Sequence, residues 1–265
     1  SMLSQVEIIN ASLEKKDYTE AFAQGRILLE QYKDVSGISK QIYQLGSKYD
    51  SLGQSEKALE YHRYNVANTP VSTDSLMSQS EIISHAFKSN DLGTAEKEIV
   101  FMLERFKGDA GLPQAIYRVG CGYKSVGKVD KALEYHKRNV KEYPNAEPAM
   151  LSQVEIVLDK FEKKNYQDVE IEMILLKDVF AGIENVSQPL CQLAQRLKKE
   201  GLKENAVMYH RYNVENYTEK YWASVSQQEV IFDAFERKDY DTADAEVDFL
   251  LEKYGKRSEL TFGMY

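Results

Sequence analysis

The short stretch at residues 3–8, LSQVEI, decides the fold because it recurs along the chain. It returns as MSQSEI at residues 77–82, as LSQVEI at 151–156 and as VSQQEV at 225–230. The spacing is 74 residues each time and needs no insertion or deletion. Repetition at a fixed period is the signature of stacked repeat units. The chain therefore divides into units 3–76, 77–150, 151–224 and a truncated fourth unit, 225–265.

Each unit carries the signals for four helices. In the first unit, Val6, Ile9 and Leu13 are spaced as one face of a helix. Every unit begins with Ser-x-x-Glu, the pattern of a capping box, so we predict that the first helix starts at Ser4 and its equivalents. Gly53 predicts a left-handed helix terminus, and Pro70 predicts the end of the fourth helix.

The second pair of predicted helices resembles the tetratricopeptide repeat. That family places Leu-Gly, Tyr, a loop Gly, Ala, an aromatic residue and a final Pro at fixed offsets within about 34 residues. The first two units carry Leu45, Gly46, Tyr49, Gly53, Ala58, Tyr61 and Pro70, and Val119, Gly120, Tyr123, Gly127, Ala132, Tyr135 and Pro144. The third copy departs from the pattern at Ala194, Leu197 and Thr218. The resemblance, to a bacterial-type array of double-hairpin units, implies an all-α fold: a right-handed α-solenoid of about seven antiparallel helical hairpins.

Composition limits the classes of partner and of location. The 265 residues carry a formal net charge of −8, which argues against nucleic acid or an anionic membrane as the main partner. No stretch approaches the roughly 20 consecutive apolar residues of a membrane span. Two cysteines, Cys121 and Cys191, cannot form a disulfide framework; reduced thiols favour a cytoplasmic location and leave a periplasmic or exported one open. Ser1 and Met2 are typical of an expression-tag remnant.

The histidines are the first candidates for chemistry. His62, His136 and His210 occupy one repeat position, and each is followed by an Asn three residues later. Equivalent positions are expected roughly 20 Å apart, too far for one metal ion. We therefore predict that His-x-x-Asn is a structural device on one helix face. Neither cysteine has a neighbouring base, so neither is expected to act as a nucleophile. Together with the spacing of the histidines, this predicts no catalytic residue, no metal ligand, no cofactor and no enzyme activity.

The resemblance places a ligand groove on the first helix of each hairpin. Carried over by position, the groove candidates are Tyr43, Ser47, Asp50, Tyr117, Cys121, Lys124, Gln195, Lys198 and Lys199. Receptors of this family that bind chaperone tails clamp a terminal carboxylate with Lys and Asn. Because Tyr43, Ser47 and Asp50 stand here instead, that activity is not expected. Tyr43 and Tyr117 either stack on a ligand or pack between hairpins, and both interpretations stay open.

The resemblance implies a non-catalytic scaffold that binds a protein or peptide, within a larger protein. Two alternatives stay open: a structural spacer or self-assembling array, and a regulatory module that responds to a peptide. Residues 258–265 align with 36–43, so we expect the chain to stop where another hairpin begins. Phe235, Leu250 and Tyr254 are then expected under an incompletely covered C-terminal face, which is a route to end-to-end self-association.

Overall fold

The computed structural model describes residues 1–218 and 221–255, which form fourteen α-helices and no strand. In chain order the helices are Met2–Glu14 (α1), Tyr18–Gln31 (α2), Ile38–Ser51 (α3), Ser55–Asn68 (α4), Thr73–Lys88 (α5), Leu92–Arg105 (α6), Leu112–Ser125 (α7), Val129–Glu142 (α8), Glu147–Glu162 (α9), Tyr166–Val179 (α10), Ser187–Lys199 (α11), Lys203–Asn216 (α12), Tyr221–Glu236 (α13) and Tyr240–Tyr254 (α14). None of these helices is long and apolar enough to cross a membrane.

Consecutive helices pack as hairpins, and the described residues contain seven of them, from α1/α2 to α13/α14. The hairpins fall into two compact units, Ser1–Tyr143 and Pro144–Tyr265. In the first unit, the first helices of successive hairpins lie side by side, α3 against α5 and α5 against α7. In the second unit, α11 packs on α13 in the same way. Stacked hairpins of this kind are an α-solenoid, so the predicted fold class is confirmed.

The first helix of each repeat begins earlier than predicted. Helix α5 begins at Thr73 and is capped by Ser72, whose hydroxyl accepts a hydrogen bond from the amide of Ser75. Ser78, the predicted N-cap, lies inside this helix and is fully buried. Ser152 and Ser226 lie inside α9 and α13 in the same way. The capping-box prediction is therefore wrong, because buried contacts with another hairpin occupy the Ser78 and Ser226 hydroxyls.

The turn inside each first hairpin is fixed by local chemistry. An Asp or Asn caps the second helix by accepting a hydrogen bond from the amide three residues later. The four caps are Asp17, Asp91, Asn165 and Asp239. In the second hairpins of the repeats, Gly53, Gly127 and Gly201 have φ of 73°, 74° and 85°, as predicted for left-handed helix termini. Helix α4 ends at Asn68, before Pro70, as expected.

The repeated pattern of small and aromatic residues packs the second hairpin of the first repeat. Tyr49 of α3 stacks on Tyr61 of α4 with ring centroids 5.2 Å apart, and both rings are buried. Gly46 lies against the imidazole of His62, where a β-carbon would be 2.6 Å from the ring. Helix α3 and helix α4 therefore approach closely at the glycine, as its position in the repeat predicts.

The expectation of an uncovered C-terminal face is wrong for two of its three residues. Leu250 and Tyr254 are 5% and 0% exposed, and they pack with Ile231. Phe235 is 44% exposed. The proposed alignment of residues 258–265 with 36–43 lies outside the described residues. Helix α14 folds back onto α13, and this packing covers the two buried side chains.

Candidate binding groove

The repeated His-x-x-Asn motif forms a buried polar cluster with a serine from the next hairpin. Asn65 on α4 donates a 2.7 Å hydrogen bond from Nδ2 to Oγ of Ser78 on α5. Nδ1 of His62 lies 3.3 Å from the same Oγ. Asn65 also donates to the backbone carbonyl of Ser39 on α3, at 3.0 Å. The cluster joins three helices, which supports the predicted structural role of the motif.

The same cluster recurs between the third and fourth repeats with nearly the same geometry. Asn213 donates to Oγ of Ser226 at 2.9 Å and to the carbonyl of Ser187 at 3.0 Å, and His210 Nδ1 lies 3.1 Å from Ser226 Oγ. In both clusters the histidine and asparagine meet at the serine rather than at each other. The serine was not predicted as part of this cluster, although its recurrence at a fixed distance from the histidine was a usable signal.

Burial keeps the cluster histidines neutral. Desolvation lowers the pKa of His62 and of His210 to about 4. Cys191 is also buried, and burial raises the pKa of its thiol to about 11, which disfavours the nucleophilic thiolate. Within residues 1–218 and 221–255, no group of three or more His, Cys, Asp or Glu side chains could hold a metal ion.

The glutamine of the repeated Ser-Gln pair makes a second structural contact. Gln79 is buried on α5 and donates from Nε2 to the backbone carbonyl of Glu98 on α6, at 3.1 Å, and to its carboxylate at 2.7 Å. The other repeats contain equivalent contacts from Gln5 to Gln24, from Gln153 to Glu172 and from Gln227 to Glu246. Packing between helices therefore accounts for both residues of the pair.

The two tyrosine candidates pack against their own hairpins. The ring of Tyr43 on α3 is 5.9 Å from the ring of His62, and that of Tyr117 on α7 is 5.7 Å from the ring of His136. Both tyrosines are half-buried, so part of each ring is still available at the surface.

Three polar candidates connect adjacent first helices. Asp50 on α3 accepts a hydrogen bond from Ser55 and lies 3.5 Å from Nζ of Lys88 on α5. On α11, Gln195 and Lys198 both donate to Glu229 of α13, at 3.3 and 3.1 Å. These contacts stabilise the stacking of hairpins along the first-helix surface. Of the other candidates, Lys124 and Lys199 are exposed and Ser47 is half-buried.

A cleft between α5 and α7 opens on the surface formed by the first helices. It has a volume of about 310 Å³, and Cys121 is the predicted candidate that lines it. Its apolar lining comes from Ile83, Phe87, Ala115, Val119 and Gly122, and its polar lining from Ser80, Ser84, Lys88, Arg118 and Ser125. The hydroxyl of Ser80 is buried and has no hydrogen-bond partner in the described part of the chain.

Gly122 distinguishes this cleft from its counterparts. The ring of Phe87 lies so close that a β-carbon at position 122 would be 2.3 Å from it. The equivalent positions in the first and third repeats are Lys48 and Arg196. The Arg196 guanidinium lies over the ring of Phe161, the counterpart of Phe87, at 5.0 Å. Cys121 was predicted as a groove residue, whereas Ser80, Phe87 and Gly122 were not, although the loss of a long side chain at position 122 was visible in the sequence.

Comparison with known proteins adds no assignment of function. No protein-family model matches the sequence, and no curated protein matches it. Among solved structures, one from a functional characterisation of Pseudomonas aeruginosa PilF is similar, with 16% sequence identity and a TM-score of 0.48. The similarity covers 82% of this chain and 92% of that chain. At these values it carries no inference about what the present chain binds.

Proposed function

We propose that this chain is a tetratricopeptide-like, non-catalytic scaffold that binds an extended segment of a partner protein along its first helices. The α5–α7 cleft is the observation that carries the proposal. Its lining is mostly apolar, it has the volume of a side chain or two, and it opens onto a surface that contains Tyr117 and Cys121. Concave, mostly apolar sites with a few polar groups are the usual form of a binding pocket.

The chemistry of the cleft favours an apolar side chain within an extended backbone. Ile83, Phe87 and Val119 offer an apolar surface that releases water when it is covered. The more accessible hydroxyls of Ser84 and Ser125 offer hydrogen bonds to a peptide group. Gly122 lets the Phe87 ring pack directly against α7, whereas the third repeat places the Arg196 side chain over the ring of Phe161.

The test is a selection of peptides from a random display library on the intact chain, followed by affinity measurement by fluorescence anisotropy. Gly122→Arg introduces the residue of the third repeat, and we expect it to weaken binding of the selected peptides at least about tenfold, because the new side chain displaces the Phe87 ring and obstructs the cleft. Circular dichroism checks that the fold is unchanged. Gly93→Arg, at an exposed position of α6 outside the cleft, is the matched control and should change affinity less than about twofold. Equal binding by the Gly122→Arg protein, or no enriched peptide, contradicts the proposal.

A second candidate function is self-association. Helix α10 exposes four large apolar side chains, Ile171, Ile174, Leu175 and Val179, at the spacing of one helix face. Exposed apolar patches of this kind mark sites where proteins associate. A mean mass that rises with concentration in analytical ultracentrifugation supports this second candidate, and a constant monomer mass contradicts it.

A further inference from the structure

We propose that a cleft between α4, α5 and α6 binds an acidic segment of a partner protein that also carries an apolar side chain. The cleft has a volume of about 440 Å³. Its lining residues are Arg63, Val66, Ala67, Gln79, Ile82, Lys97, Glu98, Phe101 and Arg105. It lies between the second helices of two hairpins, whereas the proposed groove lies between first helices. The two sites use different residues of α5, so this proposal goes beyond the proposed function and does not depend on it.

Positive charge in the cleft exceeds negative charge. Arg63, Lys97 and Arg105 face one carboxylate, that of Glu98, which already accepts a 2.7 Å hydrogen bond from Gln79. The surrounding chain has the opposite balance, with a formal net charge of −8. A cleft lined by one sign of charge concentrates ligands of the other sign.

None of the three cations forms an ion pair with a carboxylate of the described residues, although the charge of Lys97 contributes to lowering the pKa of Asp91. Arg63 and Lys97 are exposed and form no ion pair or side-chain hydrogen bond there. Arg105 donates to the backbone carbonyl of Val66 at 3.0 Å, and its guanidinium lies 5.7 Å from the centre of the Phe101 ring. Arg105 as a whole is half-buried, and its charge lies at the edge of the cleft, where it attracts an incoming carboxylate.

Comparison of the repeats indicates that packing does not require these cations. Ile171 and Val179 occupy the positions of Lys97 and Arg105 in the next repeat, and both are exposed on α10. The counterpart of Arg63 in the third repeat, Arg211, forms a 2.6 Å ion pair with Glu246. Three cations that form no ion pair with a described carboxylate therefore occur together at this cleft, and this combination is not a general feature of the fold.

The exposed ring of Phe101 indicates that the ligand also carries an apolar side chain. Phe101 is 40% exposed beside Arg105 and lines the cleft. The walls of the cleft are broadly open, since Arg63, Ala67, Lys97 and Phe101 are all exposed. A small molecule would leave much of its surface in water, whereas pockets enclose most of such a ligand. A protein segment that alternates carboxylates with apolar side chains satisfies both the cations and the ring.

The test is a fluorescence anisotropy titration of the intact chain with a labelled peptide of four Glu-Glu-Phe repeats. We expect saturable binding that weakens as salt is added, and a loss of about tenfold or more in the Arg63→Glu/Lys97→Glu protein. A peptide of four Lys-Lys-Phe repeats should show the reverse preference and bind this variant better than the original chain. Both substitutions are at exposed positions, and circular dichroism checks that the fold is unchanged.

Lys137→Glu is the matched control, because Lys137 is exposed at the repeat position of Arg63 on α8. It makes the same type of charge reversal, and we expect it to change affinity less than about twofold. Equal affinity of the original chain and the Arg63→Glu/Lys97→Glu protein for the Glu-Glu-Phe peptide overturns the proposal. The proposal is also overturned if the original chain binds a peptide of twelve Glu residues, which lacks the apolar side chain, as tightly as the Glu-Glu-Phe peptide. Tighter binding of a single-stranded oligonucleotide of twelve nucleotides than of the Glu-Glu-Phe peptide overturns it as well.

Discussion

The side-chain amide of Asn65 donates a 2.7 Å hydrogen bond to the hydroxyl of Ser78, and both residues are completely buried. Asn65 lies on the last helix of one repeat, whereas Ser78 lies on the first helix of the hairpin that follows. The bond therefore fixes how successive hairpins stack. A buried amide with several partners favours one arrangement of hairpins, because other arrangements leave polar atoms without hydrogen bonds.

Asn65→Ala is expected to destabilise the fold by about 2–3 kcal/mol, because it leaves the Ser39 carbonyl and the Ser78 hydroxyl without this donor in a buried site. The measurement is the free energy of unfolding in urea. Asn68→Ala removes an exposed asparagine from the same helix and should change this free energy by less than about 0.5 kcal/mol. Equal effects of the two substitutions would contradict a role for the buried cluster.

Stability is expected to fall as pH is lowered through the range set by the cluster histidines. Burial lowers the pKa of His62 and His210 from 6.5 to about 4, so between these values the unfolded state binds protons that the folded state does not. Each histidine therefore contributes up to about 1.4 kcal/mol of lost stability per pH unit within that window. Above pH 6.5 this contribution is constant.

Urea unfolding of the original chain and of the His62→Gln/His210→Gln protein between pH 7 and pH 4.5 measures this contribution. The double variant should be less stable at pH 7 and should depend less steeply on pH, because its side chains do not titrate. His85→Gln, at a half-buried position of α5, controls for the loss of a histidine as such. Parallel pH profiles for the original chain and the double variant would show that the buried imidazoles do not produce the effect.

The helical hairpins were predictable because their signals are local and are repeated. Gly46, Tyr49 and Ala58 lie at offsets that determine both the helix period and the close contact between two helices. The role of Ser78 was not predictable in the same way. Ser-x-x-Glu satisfies the local rule for a helix start, whereas the actual partners of the serine, His62 and Asn65, are on another helix. The local motif alone does not distinguish these two uses; the recurrence of the serine at a fixed distance from the histidine was the only sequence signal for the second use.

The binding surfaces were harder to predict than the fold for a related reason. Position in a repeat identifies which helix faces a groove, but not which side chains are used in contacts within the chain. Asp50 and Lys198 were predicted as groove residues, and both form ion pairs with a neighbouring helix. The α5–α7 cleft depends instead on Gly122, which has no side chain and so lets the ring of Phe87 pack against it. This contact cannot be read from the position of the glycine in the repeat.

Two glycines on the first two hairpins should respond differently to alanine. At Gly25 on α2, a β-carbon would lie 1.6 Å from the hydroxyl of Tyr61, whose buried ring is held between Phe22 and Tyr49. We expect Gly25→Ala to lose about 1–3 kcal/mol of unfolding free energy through overpacking.

Gly46→Ala should change the unfolding free energy by less than about 1 kcal/mol, because the better helix propensity of alanine offsets a small shift of His62. The third repeat supports this expectation, since Ala194 occupies the position of Gly46 while His210 keeps its contact with Ser226. Urea unfolding of the two variants compares them directly, and a larger loss for Gly46→Ala than for Gly25→Ala would refute the argument.

The exposed apolar face of α10 is the surface through which self-association is expected. Ile174→Lys places a charge among Ile171, Leu175 and Val179, and should abolish any association through this face because a buried, unpaired ammonium group is costly. The measurement is sedimentation equilibrium over a range of protein concentrations. Val100→Lys is the matched control, since Val100 is exposed on α6 at the repeat position of Ile174. The apolar face is absent there, because Lys97 and Arg105 replace Ile171 and Val179. Association that persists in the Ile174→Lys protein but disappears in the Val100→Lys protein would assign the contact to α6 instead.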